Sequence, residues 1–226
     1  KTLRDMQATV AASSTVERLS QLITTLQRER GASGVFIGSQ GKSMGDRLGP
    51  LRGDSDSAIA ALRELPATGN DHNTFLEANA RLKETRGQID SLAIDSNESG
   101  ARYTGMIQQL IGYTQLLESR VSDTAVVHAL GALNQFIELK ERAGRERALL
   151  GIVFSQDRFN ETLFSRFSRN LGELSAYTDG YRRKATATGL SQFEERQRTT
   201  AALEVARIQK LAFETPLGQP LGVKPR

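Results

Sequence analysis

The chain has 226 residues, with 30 Lys and Arg against 26 Asp and Glu, a net charge of +4. So slight an excess is not the dense basic stripe of a dedicated nucleic-acid binder, and no nucleic-acid partner is expected. Cysteine is absent and His72 and His128 are the only histidines, which excludes disulfides, thiol catalysis, zinc-thiolate centres and histidine-rich metal sites. No metal or cofactor is expected.

The ends read as those of a domain cut from a larger protein. The chain opens Lys-Thr-Leu without an initiator methionine and closes on Pro216-Leu-Gly-Gln-Pro-Leu-Gly-Val-Lys-Pro-Arg226. Its longest uninterrupted apolar run, Ala148 to Phe154, falls far short of the 18 or more residues that span a membrane.

Helical spacing predominates, and Val, Ile and Thr form no long alternating runs. Val16, Leu19, Ile23, Leu26, Gly34 and Ile37 predict a helix over 3–38, on the order of 50 Å long. Ser39 to Gly45 is a turn. Helices follow at about 46–64 and 72–93, the first weakened by Gly49, Pro50 and Gly53. Asp95-Ser-Asn-Glu-Ser-Gly opens a helix at 97–121, and Ser122-Asp123 caps one at 123–155. Segments 157–186 and 190–213 complete seven helices. Short connections argue for antiparallel up-and-down bundles.

The chain also echoes itself. Arg28-Glu-Arg-Gly-Ala-Ser-Gly-Val-Phe-Ile matches Arg145-Glu-Arg-Ala-Leu-Leu-Gly-Ile-Val-Phe, each copy near the end of a long helix, giving a pseudo-repeat of 28–37 and 145–154. Residues three, four and seven apart share a helix face. Arg30 therefore shares its face with Ile23, Leu26, Ser33, Gly34 and Ile37. Arg147 shares its face with Ala143, Gly144, Leu150, Gly151 and Phe154. Both are expected along the apolar side. Arg28 and Arg145, about 160° away, are expected to be more exposed.

A buried guanidinium needs an anionic partner. If the two helices are neighbours, Arg30 and Arg147 face one cavity, and a small planar oxyanion between them suits their planar donor forks. The alternative is that Glu29 and Glu146 neutralise them. Tyr103-Thr104 can lend hydroxyls to a pocket, or is an ordinary helix start. Other candidates are weaker. Gly41-Lys42-Ser43 resembles the end of a phosphate-binding loop, but Phe36 stands where that loop needs glycine. His72 reads as a solvated helix-start residue and His128 as a surface or packing one. No nucleophile–base arrangement is present, so the chain is not expected to be an enzyme.

Three segments in order resemble the nitrate- and nitrite-sensing (NIT) domain. They are Leu26-Gln-Arg-Glu-Arg-Gly-Ala-Ser, Leu139-Lys-Glu-Arg-Ala-Gly-Arg-Glu-Arg-Ala-Leu-Leu and the closing Pro216-Leu-Gly-Gln-Pro-Leu-Gly-Val, with Tyr103-Thr-Gly-Met-Ile between them. The resemblance covers essentially the whole chain, 1–226, as one sensor domain. It implies an all-α fold of two packed antiparallel up-and-down helical bundles, with the family's last helix missing after Arg226. It implies nitrate or nitrite as ligand, gripped by Arg30 and Arg147, with Arg28 and Arg145 as fallbacks; Ser33, on the Arg30 face, and Tyr103, through its hydroxyl, are further candidate contacts. Family members occur in chemoreceptors, in histidine kinases and, in the cytoplasm, fused to an RNA-binding antiterminator module. The expectation is a periplasmic domain of an inner-membrane receptor, acting as a homodimer between flanking transmembrane helices and a cytoplasmic output module. Nitrate would draw the two arginine helices together and displace the long first helix. A helical interaction module without a small ligand, and a sensor of another small anion, are the rival readings.

Overall fold

A computed structural model describes residues 3–65 and 71–223. Among them are eight helices and no strand: α1 Leu3–Gly38, α2 Gly45–Arg63, α3 Asp71–Asp90, α4 Ser96–Ser119, α5 Thr124–Gln156, α6 Glu161–Lys184, α7 Ala187–Gln197 and α8 Thr200–Glu214. The chain is all-α, as expected. It divides into two compact units, Lys1–Leu130 and Gly131–Arg226.

The first unit is built on α1. Ala12, Val16, Leu19, Ile23, Leu26, Arg30, Ser33 and Ile37 alternate steps of four and three, and every one of them is buried. That period keeps one stripe facing its neighbours along the whole helix. The stripe packs on α2 and α4. Successive α1–α4 contacts run in opposite senses, from Ser96 with Gly34 to Thr104 with Arg30, so the two helices are antiparallel. Helices α2 and α3 are antiparallel as well, since Arg52 meets Asp90 and Asp56 meets Arg86. The turn between α1 and α2 needs left-handed backbone at Gln40, Gly41 and Met44, and Gly41 supplies it without steric penalty. Pro50 lies inside α2, where it removes one backbone hydrogen bond without ending the helix.

In the second unit α5 and α6 are also antiparallel: Arg142 meets Glu173 and Phe136 stacks on Tyr181. Leu149, Leu150 and Val153 of α5 pack with Phe159, with Leu163 and Phe167 of α6 and with Ala212 of α8. The rings of Phe159, Phe164, Phe167 and Phe213 pack in tilted and edge-on pairs, each such pair adding about 0.5–1.5 kcal/mol beyond area burial. The chain after α8 folds back on the turn between α5 and α6. Gly218 N–H donates to the Phe159 carbonyl, Leu221 N–H to the Asp157 carbonyl and Gly222 N–H to the Asp157 carboxylate, each at 2.9 Å.

Two boundaries differ from the sequence reading. Helix α6 starts at Glu161 because the Asn160 side chain accepts from Leu163 N–H, capping the helix there. The single helix expected at 190–213 is two helices. Thr199 adopts an extended backbone and its hydroxyl accepts from Ala202 N–H, so it caps α8 and breaks the run without Gly or Pro. Replacing Phe167, which has no exposed surface, with alanine should lower the unfolding free energy by about 3–5 kcal/mol. In the same urea titration Leu203→Ala, at an exposed position of α8, should change it by less than about 0.5 kcal/mol.

Candidate functional site

The first arginine motif ends inside the core of the first unit. Arg30 is buried and its Nη1 donates to Thr104 Oγ1 of α4 at 2.8 Å. Arg28 is exposed, as the helical geometry requires. Between them Glu29 has no exposed surface. Its Oε1 accepts from Arg86 Nε and from the Tyr103 hydroxyl, each at 2.7 Å, and its Oε2 accepts from Arg86 Nη2 at 2.9 Å. Arg52 Nε stands 4.0 Å from the same Oε1. The cluster extends outward as Arg86 Nη1 donates to Asp56 at 2.7 Å and Arg52 grips both oxygens of Asp90.

The electrostatics follow from this arrangement. Burial alone would lower the Arg86 pKa, but the hydrogen bonds to Glu29 and Asp56 and the charges of those two carboxylates together outweigh it and raise it. Burial raises the Tyr103 pKa and the neighbouring Glu29 charge raises it further, so the phenol stays protonated as a donor. Ser33 is fully buried and its hydroxyl acts on Tyr103 in the opposite direction. Arg30, Ser33 and Tyr103, three of the four residues singled out from sequence, thus lie in one neighbourhood of the first unit. Sequence reasoning missed Arg86, Arg52, Asp56 and Asp90. They lie on other helices, 57 residues from Glu29 in the case of Arg86, and no local spacing signals that pairing. A buried carboxylate in the middle of the motif was the available clue, because it demands donors from elsewhere.

The second motif is arranged differently. Arg147 is exposed rather than lying along the apolar side of α5. The buried stripe there runs through Glu138, Arg142, Glu146, Leu149 and Val153, and Arg147 falls just beside it. Arg145 is partly buried and its Nε donates to Glu141 at 3.0 Å. Arg142 pairs with Glu138 and Glu173 and lies over the Tyr177 ring. Glu146, the counterpart of Glu29, is buried and accepts from Gln209 Nε2 of α8 at 2.7 Å. Burial raises its pKa, with the Gln209 hydrogen bond and the Arg147 charge pulling the other way. His128 is exposed on α5, and the His72 side chain lies outside the described residues.

The chain matches the family described as nitrate and nitrite sensing over residues 21–225, a stretch that enters both units. The nitrate regulatory protein of Klebsiella oxytoca is 24% identical to it over 204 residues, which are 86% of this chain and 51% of that protein. The chain therefore spans about half the length of this curated relative. The solved structure of the NasR transcription antiterminator superposes with a TM-score of 0.83 at 20% identity, over 92% of this chain and 59% of that one, a likeness of fold.

These relatives correct one expectation. A periplasmic domain of an inner-membrane receptor is not what they describe: one is a regulatory protein and the other a transcription antiterminator. None of the helices among the described residues is long and apolar enough to cross a membrane.

Two predictions test the electrostatics. Arg86→Ala leaves the buried Glu29 without its bidentate partner and should cost about 3–5 kcal/mol of stability, measured by chemical denaturation. Glu146 binds its proton more tightly when folded than when unfolded. Stability should therefore fall as pH rises from its ordinary value of 4.5 through its raised folded value. Glu146→Gln should remove that fall, read as melting temperature against pH.

Proposed function

The chain belongs to the nitrate- and nitrite-sensing (NIT) family, and on that premise we propose that it binds nitrate or nitrite through the guanidinium groups of Arg30 and Arg147. The observation that carries this reading is the setting of Arg30 within the matched region. Glu29 accepts from Arg86 and Tyr103, and Arg30 beside it is buried and donates to the Thr104 hydroxyl. A guanidinium is planar, and nitrate and nitrite offer oxygens in one plane. In the second motif Arg145 is engaged by Glu141. No carboxylate lies within ion-pair distance of Arg147 among the described residues, which favours it as the second ligand arginine. Ser33 and Tyr103 neighbour Arg30 and shape its surroundings.

The two units together constitute one sensor domain in this reading. Occupancy is passed on as a displacement of α1, because a ligand favours whichever arrangement of the chain binds it more tightly. Its strength as a signal is set by the difference in affinity between the two arrangements. The names of the relatives support transcriptional regulation as the output, and in this proposal the domain acts as a homodimer on a partner module. No step of this scheme makes or breaks a covalent bond, and the domain is a binder rather than an enzyme.

Titration calorimetry with nitrate and nitrite tests the site. Wild type should bind, and Arg30→Ala and Arg147→Ala should each abolish binding. Saturating nitrate at about 100 times its Kd should stabilise the wild type by roughly 2.7 kcal/mol, seen as a raised melting temperature that chloride and acetate do not reproduce. Wild-type affinity in both variants would sink the assignment of these arginines.

A further inference from the structure

We propose that Thr104 and Gln108 of α4 are ligand-contact residues that extend, from Arg30, a row of hydrogen-bond donors for a small anion that only accepts. The inference rests on the reading that Arg30 holds the anion. Arg30 Nη1 donates to Thr104 Oγ1 at 2.8 Å. As the acceptor in that bond, the threonine hydroxyl keeps its own hydrogen available to donate.

Other helical threonines of this chain use that hydrogen internally. Thr15, Thr24, Thr25, Thr114 and Thr178 each donate to a carbonyl three or four residues back on their own helix. Thr104 makes no such bond, and among the described residues nothing accepts its hydrogen. Gln108 lies one turn further along α4 on the same face. Its Nε2 is buried and has no acceptor among the described residues. A buried donor left without an acceptor is unfavourable, so a ligand that supplies one gains affinity from it.

Two spare donors on adjacent turns therefore follow an arginine that one of them orients. The Tyr103 hydroxyl belongs to a separate network, since it donates to Glu29. Spare donors suit an ion with acceptor oxygens, and nitrate and nitrite fit that description. Because both α4 residues stand at fixed positions on a helix, the row also favours directional oxygen acceptors over a spherical halide.

The test is nitrate titration calorimetry on the full chain, comparing wild type with Arg30→Ala, Thr104→Val, Thr104→Ser and Gln108→Leu, each with its ligand-free melting temperature measured. Thr104→Val and Gln108→Leu should each weaken nitrate binding roughly tenfold, with the ligand-free melting temperature unchanged in Gln108→Leu, which breaks no bond, and lowered in Thr104→Val, which takes the acceptor from Arg30. Thr104→Ser, which keeps the hydroxyl, should restore most of the affinity lost in Thr104→Val. Wild-type affinity in both Thr104→Val and Gln108→Leu overturns the row, and wild-type affinity in one removes that residue from it. A serine variant as weak as the valine one assigns the effect to packing and overturns the role of the hydroxyl. Unchanged binding in Arg30→Ala overturns the underlying reading of the site, whatever the α4 variants do.

Discussion

The first unit is organised around one buried negative charge. Glu29 sits where α1 meets its neighbours, and a carboxylate without solvent must be met by several donors. Arg86 brings two from α3, Tyr103 one from α4, and Arg52 of α2 stands 4.0 Å away. Four helices thus converge on two oxygen atoms. A slip of any of them by one turn would move a donor about 5.4 Å along its axis and strand the charge. Apolar packing tolerates exchange among side chains of similar volume, whereas this arrangement does not. Arg30, the next residue, inherits a fixed position from it.

The pseudo-repeat looks different in this light. What its two copies share in burial is the glutamate, Glu29 and Glu146, rather than the arginine that follows. The copies diverge in how the carboxylate is satisfied. Glu29 has a bidentate guanidinium and a phenol, while Glu146 has one amide donor and the charge of Arg147. The first copy is therefore a rigid anchor. The second is a charge held with less support, beside an arginine proposed to meet the ligand.

Much of the architecture was legible from periodicity and caps. The stripe of α1, the turn at Ser39 to Gly45 and the caps at Asp95 and Asp123 are all local, and local signals survive in a single sequence. The break at Thr199 was missed because its cap lies in an Arg-Thr-Thr run that lacks the usual punctuation. Arg30 was placed correctly because its neighbours at three and four residues are strongly apolar. Arg147 was misplaced because Ala143, Gly144 and Gly151 are small, and small residues mark an apolar face poorly. The partners of Glu29 were not legible at all, because they are assembled by tertiary packing from helices tens of residues apart.

The segment after α8 has a consequence for the second unit. Its hydrogen bonds from Gly218, Leu221 and Gly222 to Asp157 and Phe159 join residues about sixty apart, so α6, α7 and α8 form a closed loop fastened by a clasp. The left-handed backbone at Gly218 and Gly222 is what lets the strap lie flat enough to fasten, and Leu221 packs against the aromatic core once it does. Here the clasp makes opening of the strap and loosening of the phenylalanine cluster parts of the same event, so the segment shares the cooperativity of the core it closes.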